Sequence, residues 1–495
     1  MHYVSIPQEI AYSKIKEKNN CLAPSKYKDF WPNQSVNYVP LSQLIHSSSN
    51  RVKLHKRSKY KYYEIGDINV HTGLVDGNEH YGYFIPGSTP IHVLKDDILV
   101  STVRTYRRGI GIVTDENTPD LICSPAIYVI RSVENYISKE YLLAVLRSDI
   151  FIEQMQSFQN RGMYPRFDTD AVKHILIPIP KISKIMEYVS ALQRSLINKE
   201  MEIRKKHCQI HNIINRELNQ NQLPNKFHYE YPCLSNIKSN SRIDAGFHGK
   251  EHKRLTFPIL NYSNGYETLD KQGLSLLPGP SLEIKLLGTR IDSDVPLPGF
   301  YRLITPKQIQ NYGTITHYEY IGTPRYIAPI QYGDILFGES GTGRTMVYLE
   351  KDAYTINNAH AHVLRPKEGE CSIEKAITIR SLLQYYKEIG ITDHLTVGGS
   401  GGHLSPSYFD RVYIPEFSEP VQNKIATLYH NSTVALDTQE LNSESFLHLD
   451  AEFDNIAGIT ELARASRKIK QHINTVLDQI VNNKEVAIDF AFLNR

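Results

Sequence analysis

Cysteine is scarce and scattered. The five cysteines, Cys21, Cys123, Cys208, Cys233 and Cys371, are odd in number, and no two stand at a C-x-x-C spacing. That spacing argues against a zinc knuckle and a disulfide frame, and predicts a reducing, cytoplasmic setting. No run of 18 apolar residues exists, so no transmembrane helix is expected, and Met1 to Lys16 contains no apolar signal core that would predict export. Catalytic signatures are missing as well. The chain has no Asn-Pro-Pro-Tyr or equivalent methyltransferase motif, no G-x-S-x-G elbow and no carboxylate–lysine nuclease pattern in a convincing context. The expectation is a non-catalytic protein with no cofactor of its own.

What remains is a globular composition. Hydrophobic residues are 41% and charged residues 22% of 495, enough material for two or more domains. The net charge of +3 by itself says nothing about nucleic acid, but its distribution does. Between Arg51 and Lys61 lie six basic residues and no acidic one, beside Tyr60, Tyr62 and Tyr63. Such a cluster is either a recognition surface or a solvated basic loop before a strand.

One punctuation occurs twice. Asp97-Ile98-Leu99 recurs as Asp334-Ile335-Leu336, and Ile177-Pro178 recurs as Ile414-Pro415, both at an offset of 237 residues. Two coincidences at one offset indicate a duplicated unit, a globular module followed by a helical arm. In the first copy, 62–68 and 97–103 read as strands, Tyr141 to Phe158 as a helix, and His174 to Pro180 as a closing strand. In the second, Glu283 to Gly288 and Tyr332 to Phe337 read as strands, Ile373 to Tyr386 as a helix and Val412 to Pro415 as the closing strand.

After the first closing strand, Ile182, Val189, Leu196, Ile203 and Ile210 recur every seven residues, a heptad seam interrupted by Lys199 and Lys206. A helix running to about Leu218 would be roughly 55 Å long at ~1.5 Å per residue. A second arm starts near Glu419, loosens between Thr438 and Ser445, and resumes through Ile459, Leu462, Ile469, Ile473, Val476 and Ile480. The expected fold class is mixed α/β (α+β), with two similar globular domains joined by long helices that should pack on each other as a coiled coil, because neither arm can bury its apolar stripe alone. The expected domains are 1–180, a central helical arm at 181–224, a second module at 225–417 and a C-terminal arm at 418–495.

The candidate binding residues lie where the copies differ. Arg104, Tyr106, Arg107 and Arg108 follow a β-run, and arginine can grip phosphate or pair with guanine. The competing reading is intramolecular pairing to Asp96, Asp115 or Glu116. Arg161, Tyr164 and Arg166 form a second such set. In the second copy, Gly338 to Thr345 nearly spells a phosphate-binding loop, but Arg344 replaces the lysine and the following residues read as a strand. A hairpin loop presenting Ser340, Thr342 and Arg344 is the better reading, and a nucleotide-dependent enzyme is the alternative. Asn357 and Asn358 suit either adenine pairing or a turn, and His360 and His362 form a His-x-His with no third ligand nearby. Ser400 and His403 lie in a glycine-rich loop that lines a phosphate or simply connects.

Taken together, the doubled module, the Gly-Asp-Ile-Leu element at Gly333 to Leu336 (with Asp96 for Gly in the first copy), the closing Ile-Pro strands and the long helix after each resemble the specificity (S) subunits of type I restriction-modification systems. The resemblance covers about residues 40 to 485, and Asn483 to Arg495 has no place in it. It implies two target recognition domains, each reading half of a split double-stranded DNA sequence, and helical arms that form an antiparallel coiled coil with pseudo-twofold symmetry and set the gap between half-sites. It also implies docking of two methyltransferase subunits that bring S-adenosylmethionine, and of motor-nuclease subunits that use ATP and Mg. A peptide-binding scaffold is a further alternative.

Overall fold

The computed structural model describes every residue except 1–2, 8, 18–19, 21, 23–26, 28, 31, 87–88, 118, 158–171, 339–343, 397–403, 433–441 and 494–495. The chain divides into two compact units. Unit 1 comprises Met1–Met201, Ala435–Asp454 and Lys468–Arg495, and unit 2 comprises Glu202–Val434 and Asn455–Arg467.

Unit 1 opens with a two-stranded ribbon, β1 (Val4–Ser5) and β2 (Asp29–Phe30), separated by the short helix α1 (Tyr12–Glu17). One four-stranded sheet has the order β4 (Ile45–Ser48), β11 (Ile127–Val133), β8 (Ile98–Ser101), β9 (Ile110–Ile112). A second has the order β6 (Asn78–Tyr81), β5 (Lys59–Tyr63), β10 (Asp120–Cys123), β7 (Ile91–Val93). The closing strand β12 (Leu176–Ile179) pairs with β3 (Asn37–Pro40). Unit 2 repeats the order of the first sheet, while its second sheet adds an edge strand on the opposite side. Its first sheet runs β14 (Leu274–Leu277), β21 (Ala361–Pro366), β18 (Ile335–Gly338), β19 (Thr345–Val347), and its second β15 (Ile291–Ser293), β17 (Glu319–Gly322), β16 (Tyr301–Leu303), β20 (Thr355–Ile356). The closing strand β22 (Tyr413–Pro415) pairs with β13 (Tyr266–Thr268). Even the parallel pair recurs, β5 with β10 and β16 with β20.

The repeated Asp-Ile-Leu has a physical role. Asp97 and Asp334 are both fully buried, and each holds a tight turn by accepting a backbone N–H three residues back, from Leu94 at 2.8 Å and from Gln331 at 2.7 Å. The residue before each takes positive φ, 66° at Asp96 and 91° at Gly333. Asp tolerates this left-handed conformation, which is why the first copy keeps the turn without the glycine. Each carboxylate then pairs with an arginine on the neighbouring strand. Arg131 reaches Asp97 at 2.7 Å, and Arg365 reaches Asp334 at 2.7 Å.

Behind the first sheet of unit 1, α2 (Lys139–Arg147) starts at Ser138, whose hydroxyl accepts the Tyr141 N–H at 3.0 Å. The single helix expected from Tyr141 onward is broken. Ser148 is extended (ψ 166°), its hydroxyl donates to the Val145 carbonyl, and α3 (Asp149–Ser157) begins anew. In unit 2 the helical layer is built by α9 (Ile373–Glu388), which is continuous. Before it come α5 (Leu234–Asn240), α6 (Ala245–His248), α7 (Lys250–Leu260) and α8 (Ile284–Leu287), and α10 (Ile391–Leu395) follows it. The segment Glu283 to Gly288, expected as a strand, is the single turn α8, closed by Gly288 at φ 76°.

The long helix is α4 (Ser183–Gln220), followed late in the chain by α11 (Glu419–Tyr429), α12 (Ser443–Ile456) and α13 (Ile459–Val481). The expected seam is buried: Val189, Leu196, Ile203 and Ile210 on α4, and Ile459, Leu462, Ile469, Ile473, Val476 and Ile480 on α13. Ile182, placed first in the heptads, precedes the helix and is exposed. Within unit 1, Tyr188 touches His472 and Lys181 lies by Asn483, so α4 and α13 run antiparallel. The second arm folds on itself: Lys199 sits buried between Asp450 and Asp454, 2.6 Å from each, so α12 lies beside α4 as well. The tail beyond α13 joins this core, with Phe490 stacked on Phe446 at 4.1 Å.

Two outcomes follow from the buried charges. Arg131→Met and Arg365→Met each leave a carboxylate buried and unpaired, and should lower unfolding free energy by about 3–5 kcal/mol in denaturant titrations. Asp97→Asn added to Arg131→Met should recover part of the loss, because the amide still accepts the Leu94 N–H. The second concerns His252 on α7, which is buried and has its pKa pushed down from 6.5 to about 3 by burial, assisted by the charges of Lys253, His394 and Arg242. The unfolded chain takes this proton near 6.5 and the folded one does not. Stability from this site is therefore full above 6.5 and falls as pH drops toward 3, and His252→Gln should flatten that part of the stability–pH profile.

Candidate nucleic-acid interface

In unit 1 the hairpin β8–β9 carries the loop that holds Arg104 to Arg108. Arg104 and Arg108 both take positive φ, 51° and 60°, and between them Thr105–Arg107 form one 3-10 turn with Thr105 buried. The turn therefore points Tyr106 and Arg107 to solvent. A Cβ at Gly109 would sit 2.9 Å from the Ser101 Cβ, so the return strand starts at a residue without one. Arg104 and Arg107 line an open cleft of about 730 Å³, faced by Ile65 to Val70 and by Asp76. Asp67 in that wall is pushed up by burial, against the pull of the Glu64 N–H. A cleft with guanidinium donors on one side and carboxylate acceptors on the other matches the edges of base pairs.

Arg108 is spent differently. Its guanidinium pairs with Asp149 and donates to the Arg147 carbonyl. Intramolecular pairing thus holds for this arginine, with a different acceptor from the three expected. Of those, Asp115 takes Lys61 and the Tyr63 hydroxyl, each at 2.8 Å, and Glu116 takes Lys95.

The loop is anchored from beneath. Arg147 of α2 donates to the carbonyl of Ile110 at 2.6 Å and to that of His71 at 3.0 Å, and fills the space where Gly73 would carry a Cβ. Unit 2 repeats this. The buried Arg380 of α9 donates to Thr345 at 3.0 Å and Asn311 at 2.9 Å, against Gly313. Each helix thus clamps the return strand of its hairpin and the loop after β5 or β16. Nothing in the one-dimensional repeat marks these arginines, because their offset differs from 237.

In unit 2, β18 and β19 pair antiparallel, Phe337 opposite Thr345. The segment 339–343 is therefore followed by the strand β19 and not by a helix start. That overturns the phosphate-loop alternative. Arg344 is exposed and donates to the carbonyls of Pro306 and Lys307 at 3.2 and 3.3 Å. Asn357 is buried, with its amide on the Ala361 carbonyl at 2.6 Å, and the Asn358 side chain accepts the His360 N–H at 3.2 Å. Both serve the turn before β21, and the burial of Asn357 removes it from any base. Arg161, Tyr164, Arg166, Ser340, Thr342, Ser400 and His403 lie outside the described residues.

The basic run 51–61 also sorts itself. Tyr60, Tyr62 and Tyr63 are buried in the sheet, whereas Lys53, Lys56, Arg57 and Lys59 are exposed. The aromatics beside these cations are instead Tyr81, Tyr83 and Phe84, all exposed. The Gly82 and Tyr83 N–H groups bond to the carbonyls of Ser58 and Lys56 at 2.9 and 3.2 Å, which brings the two loops together. The run Tyr81-Gly82-Tyr83-Phe84-Ile85 reads as apolar, and only its pairing reveals that the aromatics face out.

Among the described residues, His207, His211 and Glu388 are the grouping able to hold a metal ion, not His360 and His362. His207 Nε2 lies 2.8 Å and His211 Nδ1 3.1 Å from the two Glu388 oxygens, and Gln384 donates to one of them at 2.9 Å. Burial would raise the Glu388 carboxyl, but the bonds from the two imidazoles outweigh it and hold it well below the usual range. The two imidazoles meet one carboxylate as a helix-to-helix tie between α4 and α9, while His207 Nδ1 and His211 Nε2 are buried without a hydrogen-bond partner among the described residues.

No family model matches the chain, and no curated protein matches it. Solved structures do show likenesses. A chain described under complex assembly and conformational transition of the type I R-M system is 15% identical, with TM-score 0.32 over 91% of this chain and 99% of that one. The HsdS subunit from Thermoanaerobacter tengcongensis is 15% identical, with TM-score 0.32 over 92% and 99%. The type I restriction-modification system S subunit from M. genitalium is 12% identical, with TM-score 0.37 over 92% and 98%. Among the described residues, no helix is long and apolar enough to cross a membrane.

Proposed function

We propose that this chain is the DNA sequence-specificity subunit of a type I restriction-modification complex. Each globular module reads one half of a bipartite double-stranded target, about three to five base pairs by a few contacts of ~1–3 kcal/mol each. The helical segments after β12 and β22 set the gap between half-sites and dock two methyltransferase subunits, which carry S-adenosylmethionine. Motor-nuclease subunits, with ATP and Mg, complete a restricting complex in the cytoplasm. The chain itself does no chemistry.

The observation that carries this reading is the pair of hairpin loops. Two modules share the strand order of their first sheet, the parallel pair of the second, a buried Asp–Arg pair and an arginine clamp, yet the sequences between the clamped strands differ entirely: 102–109 bear arginines and a tyrosine, and 339–343 are glycine-rich. A constant frame presenting unlike loops suits two readers of unlike half-sites. The exposed cations Lys53, Lys56, Arg57 and Lys59 supply positive charge on unit 1, and its cleft sets Arg104 and Arg107 against Asp67 and Asp76.

Exchanging residues 1–180 for the matching part of a relative, with methyltransferase subunits coexpressed, should change one half of the methylated motif and leave the other. If sequencing of methylated sites finds both halves unchanged, the reading is wrong. Arg104→Ala and Arg107→Ala should weaken DNA binding and reduce the salt slope by about one for each phosphate that is no longer neutralised. Arg108→Ala, which breaks an internal pair, should leave that slope unaltered.

A further inference from the structure

An exposed aromatic recurs at the same place in both modules. In unit 1 the strand β6 runs out through Gly82 and Tyr83 to Phe84, which is 70% exposed, and then to Ile85, which is buried against Tyr60, Tyr62 and Ile122. In unit 2 the equivalent strand β17 runs out through Pro324 and Arg325 to Tyr326, which is 75% exposed, and then to Ile327, buried against Leu303, Ile321 and Ile356. The two isoleucines meet the same pair of strands, β5 with β10 and β16 with β20. The aromatic before each is thereby held outward by its own neighbour. Single exposed aromatics are common on protein surfaces and mean nothing alone. Here the intervening loop differs in length and sequence, and the outward ring with its buried isoleucine is what both copies keep.

Both rings are held by bonded backbone. The Phe84 N–H donates to Tyr81 at 2.8 Å, and Tyr83 packs edge-on against Phe84 at 5.4 Å. The Ile327 N–H donates to the Tyr301 hydroxyl at 3.1 Å, and Arg325 anchors its guanidinium on the Leu286 carbonyl. The loop bonded to that of Phe84, through the Lys56 carbonyl and the Tyr83 N–H, carries the exposed Lys56, Arg57 and Lys59, with the Lys59 ammonium 5.7 Å from the Tyr81 ring centre. A flat π-face next to cations fits a flat ligand attached to an anionic backbone.

We propose that Phe84 and Tyr326 are paired stacking platforms, each laid against a nucleobase or an opened base step of its own half-site. This rests on the DNA-recognition reading, and adds that each module distorts or stacks upon the DNA at one fixed point outside its variable hairpin loop.

The test uses the full chain with its methyltransferase partners and a duplex carrying the motif found by sequencing methylated sites. Phe84→Ala and Tyr326→Ala, both at exposed positions, should each lower affinity roughly ten- to a hundredfold without altering the salt slope, because no cation facing phosphate is removed. Phe84→Trp and Tyr326→Trp should retain binding and show tryptophan fluorescence quenched by the duplex, read against the single native tryptophan, Trp31. If the alanine variants bind within about twofold of the unsubstituted protein and the introduced tryptophans are unquenched, the platforms are refuted while DNA recognition stands. If the unsubstituted complex methylates no motif and retains no duplex, both fall together.

Discussion

A carboxylate buried under a tight turn and answered by an arginine from the next strand is the constraint on which each module depends. The Asp97 and Asp334 side chains are sealed from water, so each must be fully bonded or lose several kcal/mol. The turn N–H and the arginine satisfy it, and in doing so they lock three things at once: the turn entering the hairpin, the register of β8 or β18, and the identity of its neighbour. The pair is not an efficient source of stability by itself, since burying charge is expensive. Its effect is to make alternatives worse. A one-residue slip of the strand would carry the carboxylate to the other face of the sheet and leave the arginine behind.

On that locked base the hairpin loop is free to differ. Arg147 and Arg380 pin its return strand from the helix behind, spending their donors on backbone carbonyls, which every sequence provides. Neither clamp asks anything of the loop's side chains. The backbone frame is thus held independently of the residues between the paired strands, and that is where the two copies differ in sequence.

Much of this plan is legible in the residues. The offset of 237 locates both turns and both closing strands, and the seven-residue spacing locates α4 and α13. Asp96 for Gly reads as a departure and is not one, because Asp accepts the same positive φ. What stays hidden has a common cause. Arg131, Arg147, Arg365 and Arg380 act across strands, at offsets that loop lengths have shifted, so no single alignment register displays them. The tyrosines of 60–63 adjoin cations as a surface set would, yet β5 is covered on both faces. Phe84 is apolar and suggests burial, yet the turn bonded to Tyr81 and the burial of Ile85 after it leave it facing out. Glu283 to Gly288 has a strand's composition but too few residues between its extended entry and Gly288 to do more than turn once.

The helices obey the same rule as the turns. A seam of Val189, Leu196, Ile203 and Ile210 would pack in several registers, since one apolar residue resembles the next. Lys199 cannot. With both carboxylates within 2.6 Å and no exposure of its own, it fits only where Asp450 and Asp454 come alongside. The lysine that breaks the heptad pattern is therefore the residue that fixes how α12 lies on α4. A slip of one helical turn would shift α12 along α4 by about 5.4 Å and part the lysine from both carboxylates. Apolar packing alone does not forbid that slip; a buried charge with a fixed address does.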